Sequence, residues 1–138
     1  MRRLMLSSLS TLFAGCSLLP PHHDPSQAWV ELHSAEHEQL QAVQVDTKDL
    51  EDDRYFQVSP GQHQLQVRYQ FQVEPGNIGP QSPALPRTCL LTLDFADFAA
   101  GQRYRLQAGS HGFRPWAQLY DAQGQRLVRA REGRCGEV

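Results

Sequence analysis

The sequence predicts an all-β fold: a single small β-sandwich of about seven or eight mostly antiparallel strands, behind an N-terminal leader and a tether. Three observations carry that expectation. Apolar residues recur with a period of two through most of the chain after residue 28. Turn-forming Pro, Gly and Asp residues punctuate those runs at short intervals. No stretch shows a sustained helical period, apart from one possible turn of helix at Ser34–Gln39. The 138 residues leave room for one domain.

The leader comes first. Arg2 and Arg3 precede an apolar stretch, Leu4 to Phe13. That stretch is much shorter than the roughly 20 residues a transmembrane helix needs. It ends in Phe13-Ala14-Gly15-Cys16, which resembles the lipobox of bacterial lipoproteins. In that family the cysteine thiol is acylated, the peptide before it is removed, and the new amine is usually acylated too. The resemblance implies a signal peptide over 1–15, a fatty acid such as palmitate on Cys16, and a membrane held through that lipid. Several chains on one cysteine make a firm anchor, at about 0.8 kcal/mol per buried methylene. Ser17 follows the cysteine, where the family uses Asp as an inner-membrane retention signal. That implies the outer membrane, most simply its periplasmic face. The alternatives are an ordinary secretory signal or a buried N-terminal strand.

Residues 16–27 read as the lipidated cysteine and a tether, because Pro20, Pro21 and Pro25 favour extended geometry. The sandwich domain is expected over 28–138. Its first strands are Trp29–His33 and Ala42–Asp46, the second with Val43 and Val45 on one face. Next come Tyr55–Val58 and His63–Val73, expected to form a hairpin turning at Ser59-Pro60-Gly61-Gln62. Alternation is strictest in the second of these. Leu65, Val67, Tyr69, Phe71 and Val73 share one face; Gln64, Gln66, Arg68, Gln70 and Gln72 share the other. Glu74–Arg87 carries four prolines and reads as a long connection, either a passive crossover or a binding loop. Cys89, Leu91, Leu93 and Phe95 then alternate with Leu90, Thr92 and Asp94, and Tyr104, Leu106 and Ala108 with Arg103, Arg105 and Gln107. Trp116–Tyr120 and Arg126–Ala130 flank Asp121-Ala122-Gln123-Gly124, a hairpin turn in which Gly124 supplies a positive φ.

There are three cysteines. With Cys16 assigned to lipid, Cys89 and Cys135 remain, and an oxidising compartment makes them a disulfide. No C-x-x-C spacing points to a redox or metal pair.

Two stretches resemble known families. Val45-Asp46, then Tyr55-Phe56-x-Val58-x-Pro60-Gly61-x-His63-x-Leu65-x-Val67-x-Tyr69, is similar to the PEGA-like repeat of bacterial envelope proteins, with Thr47 where that repeat has Gly. Phe95, Ala100-Gly101-x-x-Tyr104-x-Leu106-x-Ala108 and Trp116-x-x-Leu119-Tyr120-Asp121-x-x-Gly124 resemble the C-terminal half of small Gram-negative outer-membrane lipoproteins. Both resemblances imply a β-sandwich and an envelope address. Neither brings a catalytic residue.

Candidate chemistry is sparse. His33 and His37 would share a face if their segment were helical, and His22 and His23 sit beside Asp24. No third fixed ligand is evident, so no metal and no cofactor is expected. Ser110-His111 sets a hydroxyl beside an imidazole, but adjacent residues in extended chain point apart and no G-x-S-x-G is present. The acidic run Asp46, Asp49, Glu51, Asp52 and Asp53 lacks EF-hand spacing. No catalytic residue is assigned.

The formal net charge is −2; without Arg2 and Arg3, eleven basic residues face fifteen acidic ones, a net of −4. That excludes a strongly basic nucleic-acid binder. Arg126, Arg129, Arg131 and Arg134 cluster near the end, where they could meet lipopolysaccharide, peptidoglycan or an acidic partner. Sixteen Gln stand against a single Lys, Lys48. If the Gln-faced strand 63–73 lies at a sheet edge it could add a partner strand; if central, its Gln row is solvated. Gln64, Gln66, Arg68, Gln70 and Gln72 are the candidate partner-binding residues. The expected function is a non-enzymatic envelope lipoprotein that binds or scaffolds an envelope protein or glycan. The alternatives are a glycan or peptidoglycan module using Trp29, Tyr69 or Trp116, and a hydrolytic or metal-dependent periplasmic enzyme.

Overall fold

The computed structural model describes residues 23–79 and 81–138. Cys16 with its expected lipid, and the leader and tether up to residue 22, lie outside the described residues. Ten strands follow: β1 (Ala28–His33), β2 (Gln39–Val45), β3 (Lys48–Asp49), β4 (Tyr55–Val58), β5 (Gly61–Val73), β6 (Leu85–Phe98), β7 (Arg103–His111), β8 (Arg114–Tyr120), β9 (Arg126–Arg129) and β10 (Arg131–Cys135). A short 3-10 turn, Pro75–Asn77, lies between β5 and β6. The first sheet has the order β4-β1-β7-β8-β9 and the second β10-β6-β5-β2-β3. The two sheets form a sandwich with one core between them. From the first sheet come Val30, Phe56, Leu106 and Leu119, and from the second Leu65, Val67, Tyr69, Leu91 and Leu93, all at most 2 % exposed. The alternation read from β5, β6 and β7 is therefore the alternation of core and solvent.

Ten strands replace the expected seven or eight. β3 and β10 are short, and β10 is almost wholly polar or glycine, so neither shows a burial period in the sequence. One pair is parallel, β1 with β7. The others are antiparallel, and β8–β9 is the hairpin expected around Asp121–Gly124, with Gly124 at φ +80°.

The hairpin expected at Ser59–Gln62 does not form. β4 pairs with β1 in the first sheet, whereas β5 pairs with β2 and β6 in the second. Pro60-Gly61 is instead a corner where the chain changes sheet, with Gly61 at φ +112°. A period of two reports which face is buried; it carries no information on which strand lies alongside. Ser34–Gln39 is no helix either. It is a turn closed by Glu38 N–H to the Ala35 carbonyl, with His37 at φ +70°.

Two boundaries move. β2 begins at Gln39, and a bulge between Ala42 and Gln44 shifts its parity. Ala42 and Val45 therefore meet the core while Val43 does not share their face. β6 begins at Leu85, inside the proline-rich connection, so Pro86 and Arg87 are strand residues opposite Gln72 and Phe71. The β6–β10 register reaches only Cys89, so β6 is paired on one side here, where a proline is tolerated. The end of the tether is also ordered: Gln27 N–H bonds the Asp24 carbonyl, and Gly101 N–H bonds Gln27.

Cys89 and Cys135 form a disulfide directly across the β6–β10 pair. Among the described residues no helix is long and apolar enough to cross a membrane.

Candidate binding face

Two outer faces of different chemistry result. The second sheet shows glutamine. Gln39 lies opposite Gln70 and Gln44 opposite Gln66. The five residues expected to bind a partner sit here, on β5, which is flanked by β2 and β6. Its backbone is spent on both neighbours, so it adds no partner strand. Several side chains are engaged as well. Gln64 donates to Asp94 at 3.1 Å, and Arg68 Nε donates to the Val138 carbonyl at 2.9 Å. On β2, Gln44 donates to Asp49 and Gln41 to Asp53.

The acidic run is thus dispersed, with Asp49 and Asp53 holding Gln amides and Asp52 holding Arg54 through two bonds of 2.9 and 2.7 Å. The Arg54 guanidinium holds the Asp52 carboxyl down at about 2. Among the described residues no three His, Cys, Asp or Glu side chains converge on one point. His33 and His37, on a strand and a turn, have lost the helical spacing that would have paired them.

Asp46 makes a different contact. Its Oδ2 lies 2.6 Å from His63 Nδ1, and its Oδ1 accepts the Gln64 N–H at 2.8 Å. His63 Nε2 lies 2.7 Å from the Ser59 carbonyl oxygen and 3.1 Å from Ser59 Oγ. The Asp–His–Ser order suggests a nucleophilic triad. Yet a ring nitrogen that close to a carbonyl oxygen donates to it, and so is not turned to Ser59 Oγ as a base. The arrangement clasps the β2–β3 turn to the β4–β5 corner. Asp46 and His63 are two of the residues through which the sequence resembles the PEGA-like repeat. Ser110 and His111, both in β7, do point apart. Ser110 follows the parity of the inward-facing row of β7, and His111 lies 6.3 Å from the Trp116 ring on the outer face.

The first sheet's outer face is built from alternate residues of all five strands. One row across it reads Tyr55, Glu31, Arg105, Tyr120, Arg126. The next reads His33, Gln107, Gln118, Arg129. Trp29 stacks on Tyr55 at 4.1 Å with the rings 12° apart. Arg54 lies over the same tyrosine at 5.9 Å, and Arg105 over Tyr120 at 5.1 Å. Glu31 pairs with Arg103 at 3.0 Å. Two adjoining clefts, about 490 and 470 Å³, share Glu31, His33 and Arg103. Those volumes lie within the range of small-ligand sites.

No protein-family model, no curated protein and no solved structure matches this chain. The site therefore rests on its own geometry.

Of the three aromatics expected to serve a glycan, Tyr69 is fully buried in the core. Burial is the main cause that raises its ionisation, followed by the Glu38 carboxylate; its hydroxyl has no partner within hydrogen-bond geometry. Trp29 is 9 % exposed beneath Tyr55. Trp116 lies flat over Gly109, where a Cβ would come within 2.3 Å of the indole. The sequence reading missed Arg103, Arg105, Tyr55 and Tyr120 as one group. The signal available was the outward parity of Arg103 and Arg105; the parallel β1–β7 pairing that completes the group has no local signature. The arginine cluster read near the C-terminus is split. Arg126 and Arg129 face this surface, while Arg131 pairs with Asp94 on the second sheet.

Proposed function

We propose that this protein is an envelope lipoprotein, anchored by lipid on Cys16 to the periplasmic face of the outer membrane, and that its domain is a non-enzymatic binding module. One observation carries the module reading: the arginines and rings gathered across all five strands of the first sheet. Arg and aromatic side chains are the groups enriched where proteins bind. The second sheet offers mainly neutral glutamine. A disulfide at Cys89–Cys135 supports an oxidising compartment. The experiment uses photo-crosslinking side chains placed at Gln107 on the first sheet and at Gln66 on the second, in intact cells. Crosslinks to an envelope component are expected at Gln107 only, and loss of membrane fractionation is expected for Cys16→Ala. Crosslinks confined to Gln66, or a Cys16→Ala protein that still pellets with the outer membrane, would overturn the corresponding half of the reading.

A further inference from the structure

We infer that the first sheet carries an anion subsite for an acidic saccharide, centred on Arg105, Arg126 and Arg129. The inference rests on the binding-module reading and names the ligand chemistry of that face.

The starting point is which cations are free. Arg54 is held by Asp52, Arg103 by Glu31, Arg114 by Glu132 and Arg131 by Asp94. Among the described residues, no carboxylate lies within ion-pair distance of Arg105, Arg126 or Arg129. These three are neighbours. Arg105 and Arg126 flank Tyr120 in one row, and Arg129 lies beside Gln118 in the next. Strands about 4.8 Å apart place Arg105 and Arg126 on the order of 10 Å from each other across that tyrosine. Three guanidiniums around one ring form a concentrated positive field, and guanidinium bonds carboxylate or phosphate in bidentate fashion.

A fourth donor group lies beside them, since Gln118 is the cross-strand partner of Arg129. The Tyr120 hydroxyl donates to Gln118 Oε1 at 2.6 Å. That bond fixes the amide and leaves its two N–H donors for a ligand. Stacking of Arg105 on Tyr120 holds the guanidinium plane in turn.

The neighbouring cleft selects among anions. It is lined by Glu31 and Asp121 as well as by Arg103 and Arg105. Carboxylates accept hydrogen bonds from sugar hydroxyls and repel a run of phosphates. A ligand with an acidic group on each sugar and free hydroxyls beside it satisfies both halves; an oligodeoxynucleotide, with few free hydroxyls, satisfies only the first. A lipid surface fits less well, because the exposed large apolar residues lie elsewhere: Ile78 and Leu85 before or in β6, and Phe113 in the β7–β8 turn against Arg87 of β6.

The test is calorimetric titration of the purified protein at physiological salt with tetragalacturonate. Its methyl ester serves as the uncharged analogue, with an oligothymidylate and anionic phospholipid vesicles as the other polyanions. Tetragalacturonate is expected to bind, and the ester and other polyanions at least tenfold more weakly. The Arg126→Gln/Arg129→Gln variant is expected to lose at least tenfold in affinity, while Arg134→Gln on the second sheet changes it less than twofold. Equal melting temperatures guard against misfolding. If a substituted protein melts lower, chemical-shift mapping of tetragalacturonate on the native protein decides by whether Gln118 and Arg105 move. No binding of tetragalacturonate, equal binding of the ester, equal binding of the oligothymidylate or vesicles, or equal loss in Arg134→Gln would each overturn the subsite. Crosslinks at Gln107 alongside such a result would leave the module standing and reject only its ligand.

Discussion

Thr47 sits where its chemistry resists. The two-residue connection between β2 and β3 has Asp46 at φ +50° and Thr47 at φ +68°, the pattern of a type I′ turn. Asp tolerates that region, whereas a β-branched residue is strained there. Thr47→Gly is expected to raise stability by about 1 kcal/mol, the relief of strain less the added freedom of the unfolded chain. Thermal melting checks it, and a lower midpoint would contradict the turn assignment. Asp46 also supplies a pH signature. The Gln64 N–H and then the His63 ring hold its carboxyl below the ordinary value of 3.8. Its folded form binds protons less readily than its unfolded form, so it contributes stability above pH 4 that is lost as pH falls through the lowered value. Asp46→Asn is expected to flatten the decline of the melting midpoint below pH 4. The slope that remains belongs to Asp52 and Asp24, whose carboxyls are also lowered. An unchanged acid slope would show that the contact contributes nothing in solution; Asp46 is 46 % exposed, so the effect is modest.

At the scale of elements, the short edge strands need support. β10 contributes only Cys135 to the set packed against the core, and it pairs with β6 alone. The disulfide closes a loop with a sequence separation of 46. On the chain-entropy model, that constraint stabilises the fold by about 4 kcal/mol. The Cys89→Ala/Cys135→Ala protein is expected to lose up to that amount in denaturant unfolding, with the backbone amides of β10 exchanging first. Uniform exchange across β6 and β10 would show that β10 holds without the bond. β5 and β6 differ, since each has a core row and the two pair with each other along nearly their whole length. Their 13 and 14 residues form the spine of the second sheet. This was the part most legible in the sequence, because a strand with one wet and one dry face must alternate. β3, β10 and the corner at Pro60-Gly61 were not legible. Two polar strands have no alternation to read, and a corner uses the same Pro-Gly chemistry as a hairpin turn.

For the molecule as a whole, the sandwich turns a nearly neutral chain into an object with two unlike sides. Glutamines from β2 and β5 merge into one neutral face, while arginines from β7 and β9 merge with rings from β1, β4 and β8 on the other. The candidate site is a product of that assembly. Its members come from residues 29 to 129, and only the outward parity of single strands announced them. The sequence by itself determined what depends on neighbours along the chain: the burial rows of β5, β6 and β7, the turn at Asp121–Gly124, and the two cysteines left to pair. Tertiary structure alone decided which strand lies beside which. It made β5 central, sent β4 to the other sheet, and set β1 parallel to β7. The physical reason is that side-chain alternation follows from local burial, whereas strand adjacency is settled by packing two whole sheets over one core.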